Sequence, residues 1–293
     1  MYFVLVTMSG YNINLCDYAV AFVDLLGQKA DMPGRHLPDN KREAIALVKC
    51  SVGKIVGMQR LFESFYEAHS SGTTLYSQLP KHIQDQTLDM APGELKRQMF
   101  SDGMVVYIPL GRGIIKSPIN SIFVLLIASG LLCATGLAAE GPVRIGIDVA
   151  WAVEYKPGEL YGSALAHAYN LESEVAKWPR VVVGEGLLGY LQYYAESPGS
   201  DISSQFRREM AALCRGLISQ DIDGQYILHY LGSGFAKAVQ SGIDGDIVHR
   251  AREFIDFQLA KWEKEGNSVL AKRYEIVKQY YEQHCPGANG YGA

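Results

Sequence analysis

The sequence predicts a mixed chain of the α/β (α+β) class, and three observations carry that expectation. Strand-like and helix-like segments alternate over roughly the first 195 of 293 residues, Ser101-Asp102-Gly103 separates two β-prone runs as a hairpin turn would, and from Ser203 onward the apolar spacing is helical only.

Residues 18–23 are apolar and β-prone, a first strand ending at Asp24. A loop with Met32-Pro33-Gly34 and Leu37-Pro38 follows. Residues 40–69 carry Ile45, Val48, Val52, Ile55, Val56, Phe62 and Phe65 at largely helical spacing, with Asn40 as the N-cap. A polar stretch over residues 70–93 leads to strands at 95–100 and 104–110. Between Lys116 and Glu140 no residue is charged, and the run over 119–139 is long enough to span a bilayer. Ser129-Gly130 and Thr135-Gly136 interrupt it, and it lies between blocks expected to share one sheet. A buried core helix is therefore expected rather than a membrane span. Next come a strand at 143–149 with 151–155 after it, a helix at 162–174, a short strand at 180–183 and a helix at 184–194. The loop Glu196-Ser197-Pro198-Gly199-Ser200-Asp201 divides the chain into a domain at 1–195 and a helical C-terminal extension at 203–286, where Ile255, Leu259 and Trp262 recur at i, i+4, i+7.

Composition narrows the function. The formal charge is −4, from 27 Lys and Arg against 31 Asp and Glu, and the basic residues form no stripe of the kind a nucleic acid requires. Five widely spaced cysteines, with no C-x-x-C pair, fit a reducing cytoplasm. The first residues, Met1-Tyr2-Phe3-Val4-Leu5-Val6-Thr7, have no basic region and too short an apolar run for a secretory signal.

The chemistry centres on two aspartates. Phe22-Val23-Asp24-Leu25-Leu26-Gly27 and Phe100-Ser101-Asp102-Gly103 each place an Asp where a strand meets a turn. Two carboxylates on neighbouring segments can bridge a pair of divalent cations that polarise a phosphate and acidify a hydroxyl; each alone also fits a turn or cap. His167 and Asp148 can be read as a base, although an isolated helical histidine is usually structural.

In order along residues 18–192, the blocks Phe22-x-Asp24-Leu25-x-Gly27, Ser101-Asp102, Arg144-Ile145-Gly146-Ile147, Tyr161-Gly162 and Leu171-Glu172 resemble the class III nucleotide cyclase homology domain. The resemblance implies a ferredoxin-like domain with a mostly antiparallel sheet and helices on one face. It implies two divalent cations, Mn²⁺ or Mg²⁺, on Asp24, Asp102 and the Leu25 carbonyl. It also implies a homodimer, since such sites form between two domains. Backbone N–H groups of Leu26, Gly27 and Gln28 would face phosphate, with Arg144 a further phosphate contact and Gly27 equally a simple turn glycine.

The sequence departs from the family where base and transition state are held. Ala166 and Asn170 stand at the catalytic asparagine and arginine, and Gln98 and Glu159 at the two base readers. Arg144, Lys177, Arg180, Lys29 and Arg35 are the basic side chains from which a substitute for the arginine could come, and no spacing selects among them. Kept aspartates with altered readers are similar to the pyrimidine cyclases of bacterial anti-phage (Pycsar) signalling. The implied function is conversion of UTP, or secondarily CTP, to a cyclic monophosphate that acts on a separately encoded effector. A non-catalytic nucleotide-binding pseudocyclase is the alternative. Phe65, Tyr66, Tyr107, Trp151 and Tyr161 are available to close a pocket around the smaller ring, with core packing the competing role.

Overall fold

The computed structural model describes residues 4–8, 11–27, 37–70, 92–111, 118–240 and 242–285. The chain opens with strands β1 (Val4–Met8) and β2 (Tyr11–Leu25), then helices α1 (Lys41–Cys50) and α2 (Val52–Ser70). The hairpin β3 (Lys96–Phe100) and β4 (Gly103–Pro109) leads to α3 (Pro118–Ala138), β5 (Val143–Lys156), β6 (Glu159–Gly162) and α4 (Ser163–Asn170). A π-helical turn, Leu171–Val175, extends α4 and is followed by β7 (Val181–Val183), α5 (Glu185–Ala195) and α6 (Ile202–Gly216). Last come β8 (Ile218–Gln220), β9 (Tyr226–Leu228), α7 (Ser233–Ala238), α8 (Gly245–Lys264) and α9 (Ser268–His284).

The fold is α+β with a mostly antiparallel sheet. Its order is β3-β4-β2-β5-β7-β9-β8, with β1 on β2 and β6 on β5; among the described strands only β5 and β7 run parallel. The alternation along β2 builds two cores. Ala19, Ala21, Val23 and Leu25 face one side, where Phe62 of α2, Phe123 of α3, Leu187 of α5 and Ile255 of α8 join them. Tyr18 and Val20 face the other, against Ala164 and Ala168 of α4. The expectation of helices on one face is therefore corrected. With apolar residues at successive positions of β2, neither face could be left to water, and the small residues of α4 let it close the second.

The uncharged run is α3, long and apolar enough to cross a membrane, yet 83% of its apolar window is buried inside the protein. It packs against α2 on one side and α8 and α6 on another, which is why it is hydrophobic all round. The helical stretch at 40–69 is two helices. Asn40 caps the first by accepting the Glu43 N–H at 3.0 Å, and Ser51, whose hydroxyl donates to Leu47 O at 2.7 Å, separates the two.

The reading of 203–286 as helix only is also corrected: β8 and β9 join the main sheet through β7. Three residues each is too short for strand periodicity to register. Arg180, 3% exposed, fastens this hairpin by donating to Asp221 at 2.6 Å and Asp223 at 2.7 Å while lying 3.8 Å from the centroid of the Trp178 ring.

Candidate active site

The two aspartates come together at one end of the sheet because of strand register. Asp24, at the end of β2, pairs with Gly103 of β4 on one side and Arg144 of β5 on the other. Phe100 pairs with Gly103, so Ser101 and Asp102 form a two-residue turn beside Asp24, with Ser101 in the left-handed region at φ 43°. A Cβ on Gly103 would lie 2.9 Å from the Val23 carbonyl oxygen, so only glycine fits this close strand contact.

Arg144 Nη2 donates to Asp24 Oδ2 at 2.8 Å. The same nitrogen lies 2.7 Å from Glu172 Oε1, without hydrogen-bond alignment, so that oxygen and Arg144 Nε are buried and unpaired. Glu172 reaches Arg144 because the π turn after α4 lies directly on Gly146: a Cβ there would fall 2.3 Å from Ala168 O and 2.6 Å from Glu172 N. Sequence reasoning quoted Glu172 only as part of a block and gave it no role. An acidic residue closing an otherwise small and apolar helix face was the available signal.

Burial raises both carboxyls. Glu172, 3% exposed, is pushed up to about 7 by desolvation; Arg144 opposes this, and the Asp24 and Asp102 charges add to it. Asp24 is raised by burial and by Asp102, against the pull of Arg144. Two carboxyls thus share one guanidinium with Asp102 close by, leaving excess negative potential at the strand ends. Among the described residues no group of three or more His, Cys, Asp or Glu side chains is arranged as a metal cage. That donor set fits a small hard cation bound through one or two carboxylates, with water and substrate phosphate completing its shell.

The other expected site residues divide. The Leu25 side chain is buried in the core. Leu26 is corrected, since its N–H already donates to Pro142 O at 2.9 Å and is not open to phosphate. Gly27 has φ 89° with open space around it, so the turn itself requires glycine. Gln28, Lys29 and Arg35 lie outside the described residues. Gln98 sits on the same sheet face as Asp24, two residues down β3 from Phe100, and its Oε1 accepts the Leu160 N–H at 3.1 Å, next to Glu159 on β6. Tyr66 is corrected: it faces the α2 and α3 side of the sheet, its hydroxyl donating to Gly93 O at 2.7 Å.

Phe65 lies on that opposite side as well, and Tyr107 donates to Glu154 at 2.9 Å. Trp151 and Tyr161 are exposed, away from the carboxylates. The rings beside the site are instead Phe22, Phe100 and Tyr169, with Phe22 stacked on Phe100 at 5.9 Å and edge-on to Tyr169 at 5.2 Å. Arg180 is committed to Asp221 and Asp223 and drops out as a substitute cation, whereas Lys177 is exposed.

No protein-family profile matches the chain, and no curated protein sequence does. Solved structures with a similar arrangement include the adenylyl cyclase CyaB from P. aeruginosa, at 10% identity and TM-score 0.40 over 71% of this chain and 85% of that one. The guanylyl cyclase domain of the RhoGC fusion protein from Blastocladiella emersonii follows at 10% identity and TM-score 0.37, over 61% of this chain and 86% of that one. A class III adenylyl cyclase-like ATP-binding protein from Pseudomonas aeruginosa matches at 13% identity and TM-score 0.35; 96% of this chain is covered, but only 46% of that one. These likenesses are remote.

Proposed function

We propose that this chain is a class III-type nucleotide cyclase that converts a pyrimidine nucleoside triphosphate, UTP first and CTP second, to its 3′,5′-cyclic monophosphate and pyrophosphate. The observation that carries this reading is the meeting of Asp24 and Asp102, 78 residues apart in sequence, beside Arg144 at the end of one sheet.

Asp24, Asp102 and the Leu25 carbonyl would hold two divalent cations. Such ions, when bound, acidify the ribose 3′-hydroxyl and neutralise charge at the reacting phosphate. The chain's own residues supply the rest. Arg144, held between Asp24 and Glu172, is the cation beside the carboxylates that a phosphate oxygen would meet. Phe22, Phe100 and Tyr169 wall off one side of the carboxylates.

Gln98 supports uracil over cytosine. Because its Oε1 is taken by the Leu160 N–H, its NH₂ is the group left to read a base. That donor complements the O4 acceptor of uracil and opposes the N4 amine of cytosine. A homodimer with two composite sites, a cytoplasmic setting and a cyclic nucleotide that activates a separate anti-phage effector belong to the same proposal.

Incubation of the purified chain with Mn²⁺ and each of UTP, CTP, ATP and GTP, followed by mass spectrometry, tests it. Cyclic UMP as main product is expected. A cyclic purine would overturn the specificity. No product from a sample that binds nucleotide and metal would favour the pseudocyclase, for which Ala166 and Asn170 are the supporting observation.

A further inference from the structure

We propose that Ser163, His167 and Asp148 form a second reactive centre, in which a carboxylate–imidazole–hydroxyl relay makes Ser163 Oγ a nucleophile toward small activated esters. The centre shares no residue with the carboxylate site, so it stands or falls independently of the cyclase reading.

Asp148 projects from β5 toward α4 and is 4% exposed. Its Oδ1 accepts the N–H of Val149 at 2.9 Å and of Leu187 at 2.8 Å, so the carboxylate also caps the start of α5. A Cβ on Gly184 would fall 2.3 Å from Asp148 Cγ, and one on Gly186 2.8 Å from its Oδ1; two glycines admit the carboxylate and leave it no room to shift. The other oxygen, Oδ2, lies 3.3 Å from His167 Nδ1, an ion-pair distance. In the tautomer with the proton on Nδ1, facing the carboxylate, Nε2 is the acceptor. Nε2 is 3.2 Å from Ser163 Oγ, so carboxylate, imidazole and hydroxyl lie in the order a relay requires.

The backbone supports the same role. Ser163 is the first residue of α4, entered directly from β6 through Gly162 at φ 145°, where a Cβ would lie 2.5 Å from the Ala152 Cα. The strand therefore turns sharply into the helix, with Ser163 half-buried at the turn. Gly162, the N-cap of α4, makes no side-chain cap, and the N–H groups of the first turn lie in the same turn as the nucleophile. Such donors stabilise an oxyanion. His167 is half exposed, which gives solvent and a compact ester access to Nε2. A histidine serving only to fasten α4 to β5 would need Asp148 and nothing at Nε2.

The step is acyl transfer. Ser163 Oγ bonds to the ester carbonyl carbon as its proton passes to His167 Nε2; the carbon–alkoxide bond then breaks, and the alkoxide leaves with that proton. Water attacks the acyl-serine, gives a proton to His167 and releases the carboxylic acid, and Ser163 Oγ recovers the proton.

Labelling of the full chain with a fluorophosphonate probe, with peptide mass spectrometry to locate the adduct, tests the relay; hydrolysis of p-nitrophenyl acetate gives a second readout. Ser163 is expected to carry the adduct, and Ser163→Ala to lose both adduct and turnover. His167→Gln keeps an amide facing Asp148 on an exposed turn, preserves the melting curve and is expected to slow labelling about a hundredfold. An unlabelled Ser163, or labelling that His167→Gln changes by less than about twofold, against that hundredfold expectation, overturns the proposal.

Discussion

Asp24 and Arg144 stand directly opposite each other in the β2–β5 ladder, and the guanidinium crosses that pair to hold Asp24 Oδ2 at 2.8 Å. The same cation lies 2.7 Å from Glu172, so one positive charge serves two carboxyls from different elements. Asp24 and Glu172 are thus held together by a single basic side chain.

Removing that side chain should be costly. Arg144→Ala leaves Asp24 and Glu172 facing each other without compensation and is expected to destabilise the fold by about 3 kcal/mol. Denaturant unfolding with and without Mn²⁺ measures it, and the cation should restore more stability to the variant than to the wild type.

The pH dependence follows from Glu172. Its folded-state value, about 7, exceeds the ordinary 4.5, so the folded chain keeps a proton there that the unfolded chain releases. This stability is fully present below pH 4.5 and is lost as pH rises through about 7. The loss should be on the order of 3 kcal/mol. Glu172→Gln should flatten that part of the profile, as urea unfolding at pH 5.5 and 8 would reveal.

Gly146→Ala probes the approach of α4 to β5. The added methyl would sit 2.3 Å from Ala168 O, forcing the helix off the sheet and Glu172 away from Arg144. A destabilisation of about 2 kcal/mol or more is expected, with the melting temperature as readout.

Arg180→Met should release the β8–β9 hairpin. The guanidinium is 4% exposed and holds Asp221 and Asp223; its loss is expected to destabilise by about 4 kcal/mol. Amide exchange of Ile227 and Leu228 should accelerate more than that of Val20 or Val105 in the central strands.

Much of this was legible in the sequence, for physical reasons. The hairpin around Asp102 announced itself through turn chemistry between β-prone runs, and α3 through its length and interruptions. That Asp24 and Asp102 would lie side by side was legible because each stands where a strand meets a turn. The miss at Tyr66 arose because an aromatic on a helix has no marker for which sheet face it covers. Leu26 was lost to a backbone partner, Pro142, more than a hundred residues away. Glu172 and Ser163 were overlooked because the neighbours each meets appear only when α4 lies on β5, a contact set by two glycines, Gly146 and Gly162, rather than by either side chain.

The most direct measurement is the yield of cyclic nucleotide from UTP and Mn²⁺ for the wild type and for Asp102→Ala, with the variant shown to fold. Cyclic UMP from the wild type and a fall of at least about a thousandfold in the variant are predicted. Equal yields from the two proteins would contradict the assignment of Asp24 and Asp102 as the reacting centre.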